Sequence, residues 1–206
     1  MLIITGLLGA AMYRLTVAAD RGAAPAGLSA SRSTAQPNDA AADSSPLMQT
    51  TVPVRAWSEI VLHHSATNTG DVASIDQAHR QQKDSQGRPW LGIGYHFVVG
   101  NGRNMGDGEV QATFRWREQL AGAHAGKRTH NEQGIGICLI GNFDEQPPTP
   151  KQIDATRDLV RQLAKRHAIT RERILRHSDI QATACPGRQF PWERVLSDVP
   201  LRADGS

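Results

Sequence analysis

From residue 53 onward the chain alternates between short apolar runs and stretches in which apolar positions recur at helical spacing. Trp57 to His63 reads as a buried strand, and Val72, Ile75, Ala78 and His79 place one face of a helix over residues 72–83. Gly94 to Val99 predicts a second strand, closed by the turn-forming Gly100, Asn101 and Gly102, and Glu109 to Phe114 predicts a third. Ile135, Ile137, Cys138, Leu139 and Ile140 are apolar on both faces of a strand, which places the Ile135 to Ile140 segment centrally in a sheet. Thr149 is an N-cap, with Pro150 at the first helical position and Gln152 completing a capping box. The helix it opens carries Ile153, Thr156, Val160, Leu163, Ala164 and His167 toward a core. A short strand at Ile174 to His177 and a final helix opening at Pro191 follow. Strands mixed with helices in this way predict an α/β fold, a single domain with a central mixed β-sheet flanked by helices.

The first 52 residues follow a different pattern. Residues 1–13, MLIITGLLGAAMY, are apolar and are followed by Arg14 and small residues around Val17 to Ala19, so residues 1–19 are expected to be a signal or signal-anchor segment. Thirteen apolar residues fall short of the about 20 that a spanning helix needs, and no basic residue precedes the run. Residues 20–52 are rich in Ala, Ser, Pro, Asp and Asn and poor in large apolar groups, a composition that does not bury enough surface to offset chain entropy. They are expected to form a flexible tether, which leaves residues 53–206 as the folded domain.

Composition narrows the functional classes. With 39% hydrophobic and 21% charged residues the 206-residue chain is ordinary for a globular protein, and collagen, coiled coil and wholesale disorder are excluded. Residues 1–52 hold three Arg and three Asp, so 20 basic and 17 acidic residues remain beyond them and the whole net charge of +3 belongs to the expected domain. No dense Lys/Arg block with interleaved aromatics marks a nucleic-acid surface, whereas a mildly basic domain suits an anionic polymer such as a cell envelope. The two cysteines, Cys138 and Cys185, do not suffice for a four-cysteine zinc site, but eight histidines are ample for mixed ligands.

The candidate chemistry stands at the ends of the expected strands, in HHSAT (63–67), GYHF (94–97), AGAHAG (121–126) and RHSDIQATACPG (176–187). Zinc held by three protein ligands keeps a fourth position for water or substrate and polarises a carbonyl. Two histidines and one thiolate make such a set. His177 leaves a strand, Cys185 follows eight residues later in a loop held by Pro186 and Gly187, and either His63 or His64 completes the triad. Strand alternation sends one of that pair inward but does not say which.

These segments, together with GIGICLIGNF (134–143), occur in the order that characterises a known family. The chain resembles, over about residues 57–196, the zinc-dependent N-acetylmuramoyl-L-alanine amidases of the peptidoglycan recognition protein type, a group that includes amidase-type phage lysozymes. The resemblance implies one zinc ion on His63, His177 and Cys185, with Tyr95 and Thr183 as catalytic hydrogen-bond donors to the developing oxyanion. It makes His124 and Asn131 contacts of the muramyl peptide, and His64 and His96 are counted with them. The reaction it implies is hydrolysis of the amide between N-acetylmuramic acid and L-alanine in peptidoglycan or muropeptides. An exported monomer of the periplasm or cell envelope follows, with the N-terminus cleaved or kept as a membrane anchor.

The proton acceptor is left open among Tyr95, whose phenol is a weak base near neutral pH, and His96 and Glu109. Other histidines are assigned plainer roles: His79 and His167 as helix boundary residues and His130 as a solvated loop residue. Cys138 is a small buried hydrophobe. Trp90, Trp116 and Trp192 read as core residues rather than sugar-stacking platforms, and Trp116 is the one to test, because RWRE (115–118) departs from the short Gly-Arg turn that relatives place there. Two other classes compete with the hydrolase: a peptidoglycan-binding module without catalysis, disfavoured by the intact ligand set, and a thiol hydrolase built on Cys185 and a histidine.

Overall fold

The structure, a computed structural model, describes residues 45–84 and 86–199. The expected apolar segment and the expected tether as far as residue 44 lie outside the described residues. Five strands form one sheet: β1 (Glu59–His64), β2 (Phe97–Val99), β3 (Val110–Ala112), β4 (Gly134–Leu139) and β5 (Ile174–Arg176). Their order is β3-β2-β4-β1-β5, with only the β2–β3 pair antiparallel. The sheet is therefore mixed, and β4, apolar throughout except for its glycines, is its central strand as its sequence predicts.

The helices are α1 (Val72–Arg80), α2 (Phe114–Arg117), α3 (Arg128–Gln133), α4 (Pro150–His167) and α5 (Trp192–Val195). Helix α4 starts as expected: the Thr149 hydroxyl accepts from the Gln152 N–H at 3.0 Å, and the Gln152 side chain accepts from the Thr149 N–H at 3.2 Å. Its buried stripe of Ile153, Val160, Leu163 and Ala164 packs on the sheet face formed by Ile60, Leu62, Phe97, Val99, Ile135, Ile137 and Leu139. On the opposite face Val98 and Ile140 pack with Ile93 and Met105 against Val72 and Ile75 of α1 and against Tyr95. No helix among the described residues is long and apolar enough to cross a membrane.

Three expectations are corrected. The tether does not extend to residue 52, because Met48 is buried in the main core and the Thr51 N–H donates to the Arg117 carbonyl at 2.7 Å. The third strand stops at Ala112, where the Thr113 hydroxyl accepts from the Arg115 N–H and caps α2 instead. That helical turn places Trp116 fully in the core against Phe97, in keeping with its reading as a core residue. The polar run forms helix α3 over Arg128–Gln133, not a loop, and His130 pairs through Nδ1 with the buried Glu59 carboxylate at 2.6 Å, an acid that also holds Arg173.

Candidate functional site

The carboxyl ends of the parallel strands converge at one end of the sheet, where open α/β sheets place ligands. The parallel register pairs His63 with Cys138 and His64 with Leu139. Side chains at paired positions share a face, so His63 faces the side of α1 and Tyr95 whereas His64 turns to the α4 side. There the His64 Nδ1 accepts from the Phe143 N–H at 3.2 Å. The register thus resolves the choice that alternation left open.

His63 lies at the penultimate position of β1, His177 just beyond β5, and Cys185 in the following loop, whose closure is fixed by the Ser178 N–H donating to the Cys185 carbonyl at 2.9 Å. One donor atom from each of the three lies within 4.8 Å of the other two. The Cys185 Sγ stands 3.7 Å from His63 Nδ1, close to the about 3.5 Å expected between a sulfur and a nitrogen on one tetrahedral zinc ion. Sγ also accepts from the His64 backbone N–H at 3.4 Å. His63 and Cys185 are buried and His177 half-buried, so the cluster has one open side.

In this setting each group is neutral when considered alone. Burial pushes the Cys185 thiol up to about 12, with the His64 N–H pulling the other way. Burial, reinforced by His124, His177 and His64, holds His63 well below the usual imidazole range, and burial lowers His177 too, against a hydrogen bond to Ala125. Neutral imidazoles are the ligating form, and a buried thiolate needs a cation beside it. A donor set of two imidazoles and one sulfur, with no carboxylate, suits zinc and not calcium or magnesium.

A cavity of about 1140 Å³ meets the cluster at His177 and is bounded also by His79, Trp90, Tyr95, Arg115, His124, Asn131 and Gln181. The Tyr95 ring lies 5.1 Å from that of His63. Burial, then the neighbouring Cys138 and Cys185 thiols, raise its phenol well above the ordinary value, which favours the protonated, hydrogen-bond-donating form. The exposed Thr183 accepts from the Cys185 N–H at 3.2 Å and keeps its O–H to give. Asn131 lines the cavity while its side-chain oxygen accepts from the N–H groups of His124 and Ala125, both at 2.9 Å.

Two expected contacts are not brought to the cavity. His64 faces Phe143, and His96 is fully buried with both ring nitrogens used, Nε2 donating to the Leu120 carbonyl at 3.0 Å and Nδ1 accepting from the Gly136 N–H at 2.9 Å. Burial lowers the His96 pKa to about 3. Neither does Glu109 reach the site, since its carboxylate accepts from the Gly106 N–H and from Gln111. Conversely, His79, Arg115 and Gln181 line the cavity without being site candidates from the sequence. His79 accepts from the Gly94 N–H at 2.9 Å and stands between Trp90 and Tyr95. Arg115 is fixed by the carbonyls of Ile93 and Ala121, and the Gln181 amide lies 2.8 Å from His177 Nε2. The signal for His79 was its place on the inward stripe of α1; for the other two there was none.

Residues 53–188 match the family model described as N-acetylmuramoyl-L-alanine amidase. The chain belongs to that amidase family. Among its relatives, peptidoglycan-recognition protein SC2 of Drosophila melanogaster is 31% identical over 141 residues, covering 66% of this chain and 70% of its own. An N-acetylmuramoyl-L-alanine amidase of Sus scrofa is 33% identical over 137 residues, 63% of this chain but 21% of the larger protein. Among solved structures, the N-acetylmuramoyl-L-alanine amidase LysC from Clostridium intestinale superposes with a TM-score of 0.58 at 32% identity, covering 72% of this chain and 91% of that one. The amidase family and its recognition-protein relatives thus share this chain's mixed sheet with flanking helices.

Proposed function

We propose that the protein is a zinc-dependent N-acetylmuramoyl-L-alanine amidase that hydrolyses the amide joining N-acetylmuramic acid to L-alanine in peptidoglycan. The observation that carries this reading is the convergence of His63, His177 and Cys185 beside a cavity that His177 and Tyr95 both line. His63, His177 and Cys185 would hold the ion, which when bound supplies a Lewis acid and lowers the pKa of water to about 7. Tyr95 donates to the carbonyl oxygen as charge develops there, and Thr183 has a hydroxyl available for the same task. Arg115, which is held by two backbone carbonyls, keeps the cavity wall in place beside the peptide.

The remaining assignments belong to the same proposal. Residues 1–19 direct export or anchor the protein, an Ala/Ser/Pro-rich segment after them tethers the domain, and the protein acts as a monomer on the cell envelope. The relatives also include recognition proteins, so binding without turnover is the reading to be separated. Digestion of purified peptidoglycan, followed by mass spectrometry of the products, is expected to show release of L-alanine N-termini that a zinc chelator abolishes and added zinc restores. Binding without release would establish the recognition module. Release that survives chelation but not thiol alkylation would establish a thiol hydrolase, for which the buried, high-pKa Cys185 is poorly suited.

A further inference from the structure

We propose that His124 is a positioning residue that fixes the tautomer of His63 and so decides which of its nitrogens faces the metal. The inference rests on the reading of His63, His177 and Cys185 as a metal site. The two rings meet edge to face, with His63 Nε2 3.0 Å from His124 Nδ1. The other nitrogen of His124, Nε2, lies 3.3 Å from the Gly134 carbonyl oxygen. A carbonyl only accepts, so the His124 proton sits on Nε2, and with one proton per ring its Nδ1 carries a lone pair. That lone pair accepts from Nε2–H of His63. The Nδ1 of His63 is then bare, and it is the atom that faces the Cys185 Sγ at 3.7 Å.

A ligating histidine commonly gives its second N–H to a carboxylate, a carbonyl or water. Here a second histidine is interposed before the chain ends on the Gly134 carbonyl. The fold makes room for it on two sides. A Cβ on Gly136 would stand 2.4 Å from the His124 ring, and one on Gly122 would stand 2.3 Å from it. The backbone of the same segment is held by Asn131, whose side-chain oxygen receives both the His124 and the Ala125 N–H. The ring is therefore clamped where its Nδ1 meets His63. The muramyl peptide would meet His124 only at the cavity wall, while both nitrogens act inward.

The test uses the full-length protein and zinc ion alone. His124→Phe keeps a ring without an acceptor, and His124→Gln returns an acceptor. Equilibrium competition with a chelator is expected to show zinc bound about 10–100-fold more weakly by the Phe variant, with most of the loss recovered by Gln. Nitrogen-15 NMR of the zinc-free wild type, which requires no variant to fold, is expected to report His63 as the Nε2–H tautomer. Wild-type affinity in a folded His124→Phe, or a His63 protonated at Nδ1 in the zinc-free wild type, overturns the proposal and leaves the metal site standing. A wild type that binds no zinc overturns the metal site itself and the proposal with it.

Discussion

Gly136→Ala tests whether the packing around His124 is as tight as the geometry says. The new Cβ would lie 2.4 Å from Cδ2, 2.7 Å from Cγ and 2.7 Å from Nε2 of His124, where carbon contacts normally begin at about 3.5 Å. The ring has to retreat by about 1 Å, which takes its Nδ1 lone pair out of line with the His63 N–H that it meets at 3.0 Å. Overpacking costs about 1–3 kcal/mol and the lost bond about 0.5–1.5 kcal/mol. Against this, alanine at a position outside the left-handed region restricts the unfolded chain and returns about 0.4–1 kcal/mol. The net loss is about 2 kcal/mol, or about 4–8 °C in melting temperature for a domain of this size. Thermal unfolding of the zinc-free protein followed by circular dichroism measures it. An unchanged or raised melting temperature would refute the reasoning, because it would mean that the chain-entropy gain met no opposing clash.

Cys185→Ser is expected to lose both bound zinc and turnover, whereas Cys138→Ser keeps its zinc and loses about 1–3 kcal/mol for burying a hydroxyl, as metal analysis and denaturant titration will show. Tyr95→Phe is expected to lower kcat by about 10²–10³ with zinc content unchanged, a split read from steady-state kinetics and metal analysis. Glu59→Gln removes a buried charge from between His130 and Arg173, at the end of β1 away from the metal ligands. It is expected to cost about 1.5–3 kcal/mol in urea unfolding while leaving zinc affinity as in the wild type.

The features legible in the sequence are those with local causes. Thr149, Pro150 and Gln152 define the start of α4 among themselves, and the two-sided apolar character of residues 135–140 is enough to centre β4. The candidate metal ligands stand in ordered motifs, yet the choice between His63 and His64 needs the register with β4, which pairs residues 75 positions apart. The same remoteness hides the role of His130, which reads as solvated in the sequence because its partner, Glu59, lies 71 residues away. Arg115 is missed for a different reason: a helical turn of four residues, capped by Thr113, buries it together with Trp116, and no periodicity resolves so short an element.

The two outer strands, β3 and β5, are three residues each. The sheet therefore exposes very little unpaired backbone, which protects it from edge-to-edge association. The same brevity bears on how a stem peptide is read. Strand addition draws its affinity from a ladder of main-chain hydrogen bonds along an open edge, and three residues offer only the beginning of one. On the proposed function, recognition of the peptide then depends on side chains in the cavity, so a substitution at Trp90 can retune it without disturbing the sheet.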